Sequence, residues 1–347
     1  MDIVFEKAVQ LLENKKSFAL AVIIADEGST PRGEGSKMII TEDEIIATIG
    51  GGLLEAQIIE TARTRIIPEK GAEICAVDMY AKADATPDMI CGGACEVLVA
   101  YIDGNDENML NVFRAAYEAD KSGKKSWIFY IFDGNEGTRH PFTCCVNIDG
   151  AEVVGEFEEN EHFSREMLKN PVRVAVHGDF VDGWRITVHD INPHGRMYIF
   201  GGGHVSFEVA KLASHLGYPV TVIDDREEYA NPERFPECDT VAIESFPDMP
   251  DFPTDERSYI LIITRGHAHD KTVLKWALNK PCLYLGMIGS KTKRDALYVS
   301  LEKEGYSMEK MRQVKCPIGL SVGAETPAEI AVSIMAEVIA VTKGKDI

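Results

Sequence analysis

The chain has 347 residues, long for one small domain and suited to two of roughly 100–200 residues each. Its 45% hydrophobic and 27% charged residues are the composition of a soluble globular protein. A formal net charge of −20 excludes a general binder of nucleic acid or anionic membrane, since both demand basic surface.

No apolar run nears the roughly 20 residues needed to span a bilayer. The start, Met1-Asp2-Ile3-Val4-Phe5-Glu6-Lys7, lacks the basic and apolar regions of a secretion signal, so a cytoplasmic location is expected. The eight cysteines (Cys75, Cys91, Cys95, Cys144, Cys145, Cys238, Cys282, Cys316) are then expected as thiols rather than disulfides.

In chain order, helical spacing of apolar residues predicts a helix over 3–12, and the continuous apolar run 18–25 a strand. A polar loop rich in turn formers covers 26–35. Short strands follow over 37–40 and 44–49, then Gly50, Gly51 and Gly52, then a helix over 53–66. Strand, glycines and helix together can direct helix-terminal N–H groups at an anion. Further on come a strand over 96–102, a helix over 107–122, and strands over 126–132 and 172–176; residues 138–161 carry no strong motif and read as hairpins and loops. Asn192-Pro193-His194-Gly195 is a turn-forming cluster, which divides the chain into an amino-terminal mixed α/β domain, 1–192, and a carboxy-terminal domain, 196–347.

Beyond that cluster strands and helices alternate. Strands are expected over 196–200, 219–223, 240–243, 259–264 and 282–285, and helices over 204–216, 271–278, 291–304 and 326–341. Such alternation indicates α/β architecture with a doubly wound, Rossmann-like parallel sheet. Its first strand runs straight into Gly201-Gly202-Gly203-His204-Val205-Ser206. A dinucleotide loop wants glycine for a tight turn, glycine for close backbone approach to phosphate, and a small residue for helix packing, here Ser206. Asp224 closes the next strand about 20 residues on, where a carboxylate can take ribose hydroxyls.

The strand 259–264 opens into Thr264-Arg-Gly-His267-Ala-His269-Asp270, on the edge where parallel sheets bind ligands. His267 or His269 there could contact ligand or carry a proton. A His-x-His pair alone is a poor metal signal, and Asp270 could cap the next helix. Gly289-Ser290-Lys291 is again glycine before a helix, with Ser290 as a cap and Lys291 and Lys293 as positive charge. Thr326, Pro327 and Glu329 read as a helix cap. In the amino-terminal half, Arg32 offers a bidentate anion grip, the glycines allow close backbone approach, and Cys91 offers a thiolate. Cys91 and Cys95 lack the paired Cys-x-x-Cys arms of a zinc site, so no metal is assigned.

Taken together, these stretches resemble the XdhC/CoxI family of accessory factors for xanthine dehydrogenase and related molybdenum hydroxylases. The amino-terminal likeness lies in Gly28-Ser-Thr-Pro-Arg-Gly33, Thr48-Ile-Gly-Gly-Gly52 with Leu54-Glu55, and Cys91-Gly92-Gly93. The carboxy-terminal likeness lies in Ile199-Phe-Gly-Gly-Gly-His-Val205, Gly286-Met-Ile-Gly-Ser-Lys291, Pro317-Ile-Gly-Leu320 and Glu325-Thr-Pro-Ala-Glu-Ile330. The histidine segment departs from the family pattern, which is nearer Thr-His-Asp-His.

The resemblance implies a chaperone rather than an enzyme. It would bind molybdenum cofactor, support its sulfuration with a cysteine desulfurase, and deliver it to an apo molybdenum hydroxylase, and a homodimer is expected. On this reading Cys91 is a thiol ligand or sulfur carrier. Arg32, Gly50, Gly51, Gly52, Glu55, Gly92, Gly93, Gly201, Gly202, Gly203, His204, Asp224, His267, His269, Gly289 and Ser290 are the candidate cofactor contacts. The alternative is an NAD(P)-dependent oxidoreductase or nucleotide sensor built on the Gly201 loop and Asp224, with His267 or His269 as proton carrier. That alternative leaves Cys91-Gly92-Gly93 and Gly50–Gly52 without a role.

Overall fold

A computed structural model describes residues 2–28, 30–78, 93–133, 142–157, 164–170, 184–191 and 194–345. The chain divides into two compact units, Asp2–Pro193 and His194–Ile347.

In the first unit, helix α1 (Ile3–Glu13) starts at Asp2, whose side chain accepts from the Val4 amide at 3.0 Å. Strands β1 (Phe18–Gly28), β2 (Lys37–Ile40) and β3 (Ile45–Ala47) follow, then helix α2 (Gly52–Thr61) and strands β4 (Ala72–Asp78) and β5 (Gly93–Ile102). They form an antiparallel sheet in the order β3-β2-β1-β5-β4. Helix α3 (Glu107–Ser122) leads to a second antiparallel sheet, made of β6 (Ser126–Asp133), β7 (Phe142–Ile148), β8 (Glu152–Val154) and β9 (Trp184–Asp190), in the order β8-β7-β6-β9.

Successive side chains of a strand point to opposite faces. Phe18, Leu20 and Val22 of β1 therefore enter a core shared with α1, α3 and Ile128, Tyr130 and Phe132 of β6. Ala19, Ala21 and Ile23 enter another, closed by Leu54 and Ile58 of α2.

The second unit holds β10 (Met197–Phe200), α4 (His204–His215), β11 (Val220–Asp224), β12 (Asp239–Ala242), β13 (Tyr259–Ile262), α5 (His267–Ala277), β14 (Tyr284–Met287), α6 (Lys291–Lys303) and α7 (Pro327–Thr342). Its five strands are all parallel, in the order β12-β11-β10-β13-β14. Met197 and Ile199 pack with α4 and α7 on one face, Tyr198 and Phe200 with α5 and α6 on the other. This is the Rossmann-like, doubly wound arrangement the alternation predicts, and the order reverses between β10 and β13, the place such sheets bind ligands.

Several elements differ from the sequence reading. The helix expected over 53–66 ends at Thr61 and continues as one wide π turn, Ala62–Ile66. The helix expected from 271 begins at His267, so the histidine segment is a first helical turn rather than a loop. Gly266, at φ +143°, turns the chain there without the cost a side chain would bring. Strands β4 and β9 are not foreseen by the sequence reading; β4 mixes Glu73, Cys75 and Asp78 into its apolar pattern because only part of it is buried. The strand expected over 172–176 lies outside the described residues.

Candidate functional site

In the first unit the topology gathers stretches that are far apart in sequence. β1 ends at Gly28, which pairs with Gly93 at the start of β5. Asp26, near the end of β1, holds the following loop: its carboxylate accepts from the Glu34 amide at 2.8 Å and from the Thr30 hydroxyl at 3.2 Å. Pro31 in that loop rests on Gly50. A methyl group on Gly50 would lie 2.9 Å from Pro31 Cβ, and Gly50 has φ +131°, so contact and conformation both call for glycine. Arg32 is exposed and, among the described residues, has no carboxylate within 4.0 Å.

The Gly50–Gly52 turn is tied to its own helix. Glu55 Oε2 accepts from the Thr48 hydroxyl at 2.6 Å and from the Gly51 amide at 3.1 Å, and the Gly50 amide donates to Thr48 Oγ1 at 3.1 Å. Glu55 thus fixes the turn, and its carboxylate lies beside the helix start. The amides of Gly52 and Leu53 belong to the exposed first turn, where no preceding carbonyl can accept from them. Cys91 and Gly92 lie outside the described residues; Gly93 is buried in β5.

The other cysteines provide a contrast. Among the described residues Cys95, Cys144, Cys145 and Cys316 are buried and Cys75, Cys238 and Cys282 half-buried, all without disulfides. Burial pushes every one of these thiols up, Cys145 to about 12 and Cys75 and Cys316 to about 11. None of them is a ready thiolate near neutral pH.

In the second unit the glycine loop sits at the carboxyl end of β10. A side chain on Gly201 would meet Ile263 O at 2.3 Å, and one on Gly202 would meet Tyr229 O at 2.0 Å, while Gly203 faces open space. His204 is exposed at the first position of α4, and Ser206 is fully buried, as its packing role requires.

Asp224 ends β11 and is 2% exposed. Its Oδ2 accepts from the Gly202 amide at 2.7 Å and from Arg226 Nη2 at 3.0 Å. Its Oδ1 accepts from the Arg226 amide at 3.0 Å and from Arg226 Nε at 2.8 Å. A carboxylate offers about four acceptor positions, and all four are filled from within the chain. Burial alone would raise this carboxyl; the Arg226 guanidinium and the Gly202 amide outweigh it and hold the group below the usual carboxylate range. The expected ribose receptor is therefore closed by Arg226, whose guanidinium also stacks 3.6 Å over the Tyr229 ring. Arg226 carries no motif of its own in the sequence; a cation two residues past the strand-ending acid is the available signal.

Asp225, next in line, faces Arg265 Nη2 at 3.5 Å and His269 Nε2 at 4.0 Å. The His269 ring lies 4.9 Å from that of Phe246. The side chain of His267 is outside the described set. Asp270 is completely buried in the first turn of α5, accepting from Thr264 Oγ1 at 2.6 Å and from the Lys293 ammonium. Lys293 is thus the partner of a buried carboxylate, not a free cation for ligand. Ser290 caps α6, accepting from the Lys293 amide at 3.1 Å, and a side chain on Gly289 would lie 2.9 Å from Lys293 Cδ. No group of three or more metal-ligating side chains occurs among the described residues.

Comparison with known proteins bears on both units. Residues 197–338 match the family described as the XdhC Rossmann domain, and residues 11–75 match the XdhC and CoxI family. The chain belongs to the XdhC and CoxI family. It aligns almost throughout with a Bacillus subtilis protein named as a probable xanthine dehydrogenase component, at 24% identity over 96% of each chain. Escherichia coli supplies two similar proteins. One is the molybdenum cofactor insertion chaperone PaoD, 23% identical over 96% of this chain and 86% of its own. The other is YqeB, 24% identical over 97% of this chain, which spans only 46% of that longer protein. The fold is shared with a crystal structure described as a xanthine dehydrogenase from Bacillus halodurans, at TM-score 0.76 and 24% identity over 98% of this chain and 96% of that one.

Proposed function

We propose that this member of the XdhC and CoxI family is an accessory factor in maturation of a molybdenum hydroxylase. It binds molybdenum cofactor as cargo, supports its sulfuration with a cysteine desulfurase, and delivers it to the apo-hydroxylase. Relatives named as a xanthine dehydrogenase component and as a molybdenum cofactor insertion chaperone support the general role. The observation that carries it for this chain is the seating of Pro31-Arg32 on Gly50, at the sheet end where Gly28 pairs with Gly93. These are the stretches that have no role in a dehydrogenase.

The fit to a phosphate-bearing pterin rests on charge and donors. Arg32 is an exposed guanidinium without an acidic partner among the described residues, and the first-turn amides of α2 are donors suited to an anion. The glycines add no side chain of their own to that turn, and its nearby carboxylate, Glu55, is engaged by the Thr48 hydroxyl and the Gly51 amide. Cys91 is assigned the thiol role, as ligand or sulfur carrier, because burial holds the other seven protonated. No described helix is long and apolar enough to cross a membrane. A homodimer, testable by light scattering, completes the proposal.

The NAD(P) reading is disfavoured by the filled acceptor positions of Asp224, which leave no lone pair for a ribose diol. One experiment separates the two: anaerobic titration of isolated molybdenum cofactor, with NAD titrated in parallel. The expected outcome is stoichiometric pterin binding that falls at least tenfold in Cys91→Ala, with no NAD binding. Tight NAD binding without pterin, lost in Asp224→Ala, would sink the chaperone assignment.

A further inference from the structure

In the second unit, α4 and α7 face the segment 234–238 across a cavity of about 600 Å³, within the range of roughly 300–1,000 Å³ typical of small-molecule sites. Its walls are mostly apolar: Phe207 and Leu212 from α4, Phe235 from the segment, Ala331 and Val332 from α7. Into this wall is set Arg234. Its guanidinium carbon lies 5.1 Å from the Phe207 ring, 5.4 Å from Tyr229 and 5.6 Å from Phe235.

Three rings frame this cation without neutralising it. Arg234 Nε is sealed from solvent and has no hydrogen-bond acceptor. Among the described residues no carboxylate lies within 4.0 Å of the guanidinium. Arg226 gives the contrast: both guanidiniums lie over Tyr229, but Arg226 has Asp224, whereas Arg234 has no acid among the described residues. A partly desolvated, unpaired cation beside an apolar cavity is unfavourable unless an anion joins it. Glu208 and Glu237 also line the cavity, set against Lys211 and His215, so the positive charge left for a ligand is that of Arg234.

We infer that this cavity is a binding site for a small organic monoanion with an apolar body, its acid group on Arg234 and its body against Phe207, Phe235 and Val332. The inference is independent of the chaperone assignment, because it concerns different residues and a different ligand class.

The test is fluorescence titration of the full chain with 8-anilinonaphthalene-1-sulfonate, an aromatic monoanion. Saturable binding at one site is expected, weakened at least about tenfold in Arg234→Gln, the effect of losing one charge-assisted contact. The uncharged N-phenyl-1-naphthylamine should bind wild type and variant alike. Competition by decanoate against 1-naphthoate then tells whether the preferred body is aliphatic or aromatic. Val332→Glu, at a wall position 59% exposed, places a like charge at the mouth without burying it and should weaken the sulfonate to a similar extent. Equal sulfonate affinity in wild type and both variants overturns the site. So does the absence of saturable binding, or a dimer in light scattering that Val332→Glu separates, since a second copy would then cover this face.

Discussion

Asp224 shows how one carboxylate can look like a receptor in sequence and act as a brace in the fold. Its burial would be costly if it were alone; four donors make it favourable. Asp224→Asn removes the charge from those bonds and replaces one accepting oxygen by an NH2 donor facing Arg226, so a stability loss of about 2–3 kcal/mol is expected in urea unfolding at pH 7. The pH dependence follows from the direction of its shift. The folded carboxyl is depressed, so its contribution is complete above the ordinary carboxylate value of about 3.9 and is lost as pH falls through the lower folded value. The gap between wild type and Asp224→Asn should therefore narrow as the pH falls below about 4. A gap that widens in acid would contradict the pairing.

At the level of elements, the histidine segment marks the limit of sequence reading. His267 to Asp270 reads as a loop because His-x-His-Asp has no apolar spacing; the helix begins there because Asp270 is buried and anchored from two sides, by Thr264 and Lys293. The Asp270–Lys293 pair ties the start of α5 to the first turn of α6. Lys293→Met would leave a buried unpaired carboxylate and should cost about 3–5 kcal/mol, whereas Asp270→Leu combined with Lys293→Met should cost far less; a double-mutant cycle in denaturant checks this. The parallel sheet is legible because β10 and β13 are continuous apolar runs and β11 is apolar but for Thr221 and its closing Asp224, and the cap on α7 because Thr326 and Glu329 bond only locally. The three amino-terminal glycine stretches are each legible, but their convergence is not, since Gly28–Gly93 pairing and the Pro31–Gly50 contact span distances no local pattern encodes. Arg234 is invisible in the sequence for the same reason: its three rings come from α4 and two turns of an irregular segment.

For the whole molecule, the relevant fact is that each unit closes its own cores. The clusters built on Met197–Ile199 and on Tyr198–Phe200 draw only on residues beyond 194, and those built on β1 and β6 only on residues before 192. A separately expressed segment 194–347 is therefore expected to fold alone, with a cooperative thermal transition and intact near-ultraviolet dichroism. Loss of cooperativity in that segment would show that its cores need the rest of the chain. The net charge of −20 belongs to this scale too, since a cation such as Arg32 must act against a repulsive field, and its anion binding should strengthen as moderate salt screens that field.

The pairing of Asp224 with Arg226 also bears on what the cell can do to this protein. A nucleotide fold whose acid waits for a ribose changes state as the coenzyme pool rises and falls. Here the arginine already answers the acid, so this carboxylate gives the coenzyme pool no handle in starvation or in plenty, whatever else the Rossmann unit holds.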